Sequence, residues 1–207
     1  MAISLLETLL VKRIPNSVYP NLVTIVNLFC GFYSVTAAFR GDYLLAFWLI
    51  VFGAIADVFD GKVARMVNGA SPFGVQYDSL ADCVTFGFAP TALVYNVLGK
   101  PENAFLVMVA FFPLLFASIR LARFNVQLVG FDKSEFNGLP SPAGALSIIS
   151  MIPLNHFLTT SGYVSASIWD SYRYLFLAIV VAYSLLMVST VKYQTVPKFT
   201  IHQNDKQ

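Results

Sequence analysis

The chain has 207 residues, of which 57% are hydrophobic, 15% aromatic and only 12% charged, and its mean hydropathy is +0.69. A soluble domain carries about 25% charged residues, so this composition excludes one, and apolar runs along the whole length leave no room for a separate soluble domain. The formal net charge of +2 is too small to suggest nucleic acid as a partner.

The opening "MAISLLETLLVKRIP" lacks the basic leading region of a signal peptide, and its charges follow its apolar part. On a helical period Ser4, Glu7, Thr8 and Lys12 share one face, while Ile3, Leu5, Leu6, Leu9 and Leu10 cover the rest. This pattern predicts a short helix over residues 1–14 lying in the membrane surface. Six apolar spans follow, at 21–39, 43–66, 77–98, 103–126, 141–161 and 171–191. Each is near the length needed to cross the hydrocarbon. The breaks "RGDY", "NGASPFG", "GKPEN", "GFDKSEFNGLPSP" and "TTSGYVSASIWD" are rich in turn residues. The expected fold is therefore an all-α integral membrane protein: six transmembrane helices (21–191), a short N-terminal interfacial helix and a polar tail (192–207), forming one domain over 1–207.

With six spans both termini lie on one side. That side holds Lys12, Arg13, Lys62, Arg65, Arg120, Arg123, Lys133, Lys192, Lys198 and Lys206, against Arg40, Lys100 and Arg173 on the other. The bias places both termini in the cytoplasm. Cys30 and Cys83 sit inside apolar runs and read as small buried residues, not as a disulfide or metal pair. His156 and His202 lie far apart, at an interface and in the polar tail.

The stretch "DVFDGKVARMVNGASPFGVQYDSLAD", residues 57–82, breaks the apolar pattern: it holds four of the eleven acidic residues. Asp57 and Asp60 are three apart and share a helical face with the small residues Gly61 and Ala64; Gly74, Asp78 and Asp82 run at steps of four. If spans 2 and 3 are neighbours, four carboxylates converge near the cytoplasmic membrane surface. Unpaired like charges are costly in a low dielectric, and Lys62 and Arg65 cannot neutralise four carboxylates. All-oxygen ligation suits a hard divalent ion, Mg²⁺ or Mn²⁺, and two ions bridged by shared carboxylates suit displacement at phosphorus. Gly61, Ala64 and Gly74 leave space for a bulky ligand, and Arg65 is placed to grip a phosphate. The reading is a metal-dependent phosphoryl-group enzyme at the cytoplasmic face. Interhelical salt bridges are the plain alternative, but the segment has too few bases for its acids. An ion transporter is another, although the carboxylates gather at one membrane edge and form no relay across it.

The pattern Asp-x-x-Asp-Gly-x-x-Ala-Arg, eight residues, then Gly-x-x-x-Asp-x-x-x-Asp resembles the signature of the CDP-alcohol phosphotransferase family, matched by Asp57, Asp60, Gly61, Ala64, Arg65, Gly74, Asp78 and Asp82. The stretches "DSLADCVTFGFAP" (78–90), "RLARFN" (120–125) and "FNGLPSPAGA" (136–145), with "PNLVTIVNLFCGF" near the N-terminus, are similar to the family's integral-membrane phosphatidylserine synthases. The resemblance covers most of the first five spans. It implies a six-span homodimer in which Asp57, Asp60 and Asp78 hold two divalent cations. Asp82 would be the general base, with a possible contact to one metal. Gly61, Arg65 and Ser71, with Ala64 and Gly74 of the motif, would face the CDP moiety, and Thr24 and Asn27 would help to read the cytidine. A CDP-diacylglycerol-type lipid would then pass its phosphatidyl group to L-serine and release CMP. Arg120, Arg123 and Asn125 would take the serine, because an Arg fork binds a carboxylate; membrane anchoring is the plainer reading of both arginines. Glycerol 3-phosphate or an inositol phosphate is the alternative acceptor. "GLPSP" reads as a rigid loop at the substrate mouth, or else as a simple helix break.

Overall fold

The structure is a computed structural model and describes residues 18–67, 69, 71–128, 138–161 and 169–191. The expected surface helix at 1–14 and the tail at 192–207 lie outside the described residues. Among the described residues all regular structure is helical.

Helix α1 (Val18–Arg40) and helix α2 (Tyr43–Met66) form a tight antiparallel pair. The turn between them is set by Gly41 at φ +86°, where the Gly41 N–H donates to Ala38 O and the Asp42 N–H to Ala37 O. A glycine in the left-handed region lets the chain turn back and satisfy the last carbonyls. Because lipid is as apolar as a leucine side chain, apolar burial drives little helix association in a bilayer; close approach of small residues and interhelical hydrogen bonds do. Ala37, Ala38 and Ala46 are accordingly buried at this seam, and the Ser34 hydroxyl donates to Ala46 O at 2.9 Å.

The third crossing is composite. Helix α3 (Pro72–Asp82) starts with Ser71 as N-cap, its hydroxyl accepting the Gly74 N–H at 3.0 Å, and with Pro72 in the first turn. A wider π-helical segment (Cys83–Phe88) follows directly, and helix α4 (Ala89–Val97) completes the crossing. This segment is the centre of the bundle: of its most apolar 18 residues 61% are buried, against 28–33% of the corresponding stretches in α1, α2 and the next helix. Phe86, Leu93 and Val94 are fully buried in the core. Helix α5 (Ala104–Leu128) carries Pro113 inside it, and the Leu114 N–H turns to the Thr91 hydroxyl of α4 at 3.1 Å. Helices α6 (Ser141–Ile149), α7 (Met151–Thr160) and α8 (Trp169–Val188) close the described fold.

Among the described residues, four helical segments are long and apolar enough to cross a membrane: Val18–Arg40, Tyr43–Met66, Pro72–Val97 and Ala104–Val126, with a shorter apolar helix over Tyr172–Val188. Their outer faces expose Val26, Phe29, Phe32, Trp48 and Phe52, as expected of side chains that meet lipid. Two expected spans differ most. The third crossing begins at Pro72, not at residue 77, because Ser71 caps a helix that extends beyond the apolar run. The fifth expected span, 141–161, is two helices that break at Ser150. Pro153 has no N–H to donate, and its ring crowds the carbonyl four residues back, that of Ile149, where α6 ends.

Candidate active site

Three helices build the acidic site. α2 brings Asp57 and Asp60, and α3 brings Asp78 and Asp82. Asp60 lies six residues before the end of α2 and Asp78 six residues after the start of α3. At about 1.5 Å per residue, both sit about 9 Å from those helix ends, at one edge of the bundle. One carboxylate oxygen from each of Asp57, Asp60 and Asp78 lies within 4.8 Å of the others. Asp60 and Asp78 come within hydrogen-bonding range of each other. Asp82 is buried and stands outside this group of three.

Helix α1 holds the carboxylates from behind. The Thr24 hydroxyl lies 3.0 Å from Asp60 Oδ2 and donates to it, with Pro20 O at 3.2 Å as a second acceptor. The Asn27 amide Nδ2 donates to Asp82 Oδ1 at 3.0 Å. Thr24 and Asn27 are three apart, so one face of α1 presents one donor to each of two acids. Both residues were expected near the cytidine, and in the structure their side-chain donors are turned onto Asp60 and Asp82.

The donor set suits a hard cation. It consists of carboxylate oxygens only, and Asp78 Oδ1 is buried without a hydrogen-bond partner, a costly state that a bound cation relieves. The neighbouring bases are directed elsewhere. Lys62 lies over the Phe59 ring at 5.8 Å, Arg120 Nη1 donates to Ser141 Oγ at 2.9 Å, and Arg123 Nη1 donates to Val188 O at 3.2 Å. Among the described residues, interhelical salt bridges therefore do not account for the cluster.

Beside the carboxylates is a cavity of about 140 Å³. Its lining includes Thr24, Asp60, Gly61, Ala64, Ser71, Gly74 and Asp78, so the structure brings together most of the residues picked out by spacing. Asn21 and Val75 also line it and were missed; the signal for Asn21 was a polar residue one turn before Thr24. Arg65 is exposed, one turn beyond Gly61. The three residues expected to take serine are not gathered in one pocket. Arg120 reaches α6 and lies within electrostatic reach of Asp82. Arg123 is exposed and reaches the end of α8. Asn125 accepts from Ser79 at 3.0 Å and donates to Gln76 Oε1 at 3.3 Å, both on α3.

Gly61 keeps the cavity open: a Cβ built there meets nothing within 4 Å. Gly61→Leu is expected to lower turnover by at least about 100-fold, as misplacement of a bound substrate does. The melting temperature should not fall, since replacing a helical glycine gains up to about 1 kcal/mol of propensity. Activity and thermal unfolding of the purified variant check both halves.

A bundle of apolar, membrane-length helices with an all-carboxylate site at one edge is the architecture of a membrane enzyme suited to divalent cations. Residues 17–192 match the CDP-alcohol phosphatidyltransferase family, and the chain belongs to that family. Among curated relatives it is similar to a CDP-diacylglycerol–serine O-phosphatidyltransferase of Helicobacter pylori, 35% identical over 187 residues, covering 89% of this chain and 75% of the relative. A protein of the same name from Methanocaldococcus jannaschii is 35% identical over 176 residues, covering 84% and 73%. One from Saccharomyces cerevisiae is 36% identical over 143 residues, covering 62% and 51%.

Proposed function

We propose that this protein transfers the phosphatidyl group of a CDP-diacylglycerol-type lipid to the hydroxyl of L-serine, releasing CMP. The observation that carries the reading is the acidic site: three carboxylates in ligating reach of one another, with a fourth held beside them by Asn27. Serine as the acceptor is supported by the names of the relatives in bacteria, yeast and an archaeon.

Asp57, Asp60 and Asp78 would hold two divalent cations, Mg²⁺ or Mn²⁺. When bound, such ions supply positive charge to the phosphates and to the departing CMP. Thr24 fixes one Asp60 oxygen, so fewer conformations are lost on binding. Asp82 accepts the proton of the serine hydroxyl at the carboxylate that Asn27 orients. The serine oxygen then bonds to the lipid-bearing β-phosphorus, and the bond from that phosphorus to the bridging oxygen of CMP breaks. Gly61, Ala64 and Gly74 leave room for the nucleotide, and Arg65, exposed one turn beyond Gly61, is a cation available to a phosphate. Arg120 would take the serine carboxylate, supported by its place near Asp82.

The same reading has six spans in one domain, a surface helix at the N-terminus, a homodimer, and the site and both termini on the cytoplasmic side of the cell membrane. The basic-residue bias supports the orientation.

The test is an acceptor panel. Purified protein with CDP-diacylglycerol and Mg²⁺ or Mn²⁺ receives labelled serine, glycerol 3-phosphate or inositol phosphate in separate reactions. Label entering the lipid phase from serine alone, with CMP released, is the expected result. Transfer to another alcohol instead overturns the acceptor, and no CMP in any reaction overturns the chemistry.

A further inference from the structure

We propose that Thr85 is a positioning residue for turnover: its hydroxyl fixes the segment of α1 from which Asn27 holds Asp82. Thr85 is fully buried in the π-helical segment that begins immediately after Asp82. Its Oγ1 donates to the backbone carbonyl of Asn27 at 3.0 Å. Asn27, also fully buried, sends its amide to Asp82 Oδ1 at 3.0 Å. Two hydrogen bonds thus run back and forth between α1 and the third crossing, one to the backbone of Asn27 and one from its side chain.

Two glycines make the contact possible. A Cβ at Gly31 of α1 would lie 2.5 Å from Thr85 Oγ1, and a Cβ at Gly53 of α2 would lie 2.6 Å from Thr85 Cγ2. The threonine therefore sits with its hydroxyl against one glycine and its methyl against the other, keyed between both helices of the first hairpin. The same Cβ at Gly53 would lie 3.1 Å from Asn27 Oδ1, an oxygen that is buried without a hydrogen-bond partner. With its oxygen against Gly53 and its own backbone tied to Thr85, the Asn27 amide has one productive direction left, toward Asp82. The wider turn matters because such turns locally reshape a helix and recur at functional sites. Here it carries the threonine into the slot just beyond the acid.

The inference rests on Asp82 as the acceptor-activating carboxylate. Thr85→Val exchanges the hydroxyl for a methyl at nearly constant volume, and Thr85→Ser keeps the hydroxyl while losing the methyl. Thr85→Val is expected to lower kcat by about 10- to 100-fold, with the KM for CDP-diacylglycerol within about threefold of wild type. Thr85→Ser should recover kcat to within about threefold of wild type. In an Asn27→Ala background Thr85→Val should cost nothing further, because the side chain it positions is gone. A Thr85→Val enzyme with wild-type kcat overturns the proposal. So does a Thr85→Ser enzyme as slow as Thr85→Val, or a loss that multiplies with that of Asn27→Ala. If Thr85→Val is not recovered folded, Thr85→Ala against Thr85→Ser makes the same comparison. Asp82→Asn is measured alongside. Normal turnover there removes the base itself, whereas an inactive Asp82→Asn with a normal Thr85→Val removes Thr85 alone.

Discussion

Asp82→Asn is expected to reduce turnover by at least about 1,000-fold, within the range set by loss of a positioned general base. The amide is nearly isosteric with the carboxylate, and its oxygen can still accept from Asn27 Nδ2 as Asp82 Oδ1 does at 3.0 Å. It cannot take a proton from an alcohol. Asp82 also stands outside the group formed by Asp57, Asp60 and Asp78, so those three carboxylates are left unchanged. The expected protein is therefore folded, thermally intact, able to bind CDP-diacylglycerol in the presence of divalent cation, and inactive. Steady-state kinetics, an unfolding curve and a lipid-binding isotherm on one preparation separate these properties. Turnover near that of wild type would remove Asp82 as the base.

Chelation is the second large effect. Excess EDTA should take activity to background, and added Mg²⁺ or Mn²⁺ should restore it. Asp57, Asp60 and Asp78 crowd like charges into a partly buried site, and Asp78 Oδ1 has no protein partner there. A ligand that binds only the folded state stabilises it by about 2.7 kcal/mol at a hundred times its dissociation constant, so metal should raise the melting temperature by several degrees. Asp78→Asn should weaken that response and also raise the melting temperature of the metal-free protein, because it removes one of the repelling charges. Full activity in EDTA sinks the metal-dependent account, whatever the unfolding curves show.

The parts of this molecule that were legible in the sequence are those whose causes are local. Helix α2 falls at 43–66 as expected because both of its ends carry strong signals: Gly41 before it and a glycine- and proline-containing loop after it. The carboxylates were legible because steps of three and four fix a helical face whatever the tertiary fold. The start of the third crossing was misjudged because Pro72 and Gly74 read as part of a turn-rich break and Gln76 dilutes the hydropathy after it, although Ser71-Pro72 is itself a helix-start signal. The break at Ser150 was signalled only by Pro153 inside an otherwise apolar run. The π-helical turn and the lodging of Thr85 between Gly31 and Gly53 have no signature along the chain, since they depend on which helices become neighbours. Thr24 and Asn27 were picked out as site residues, but only the packed bundle shows that their donors face Asp60 and Asp82. Arg120, Arg123 and Asn125 share a short stretch of α5 and still reach three different elements, because long side chains choose partners that sequence proximity does not specify.

The shallow placement of the carboxylates, about two turns in from the ends of α2 and α3, has a kinetic consequence. An enzyme that meets a lipid's diphosphate at headgroup depth has no need to extract that lipid from the bilayer, so such a substrate reaches the cavity by lateral diffusion. The concentration that governs its rate is then the mole fraction of nucleotide-activated lipid in the surrounding leaflet, not the amount per volume of suspension. Diluting that lipid with inert phospholipid at constant bulk concentration should slow the reaction, while enlarging the suspension at constant surface composition should leave it unchanged.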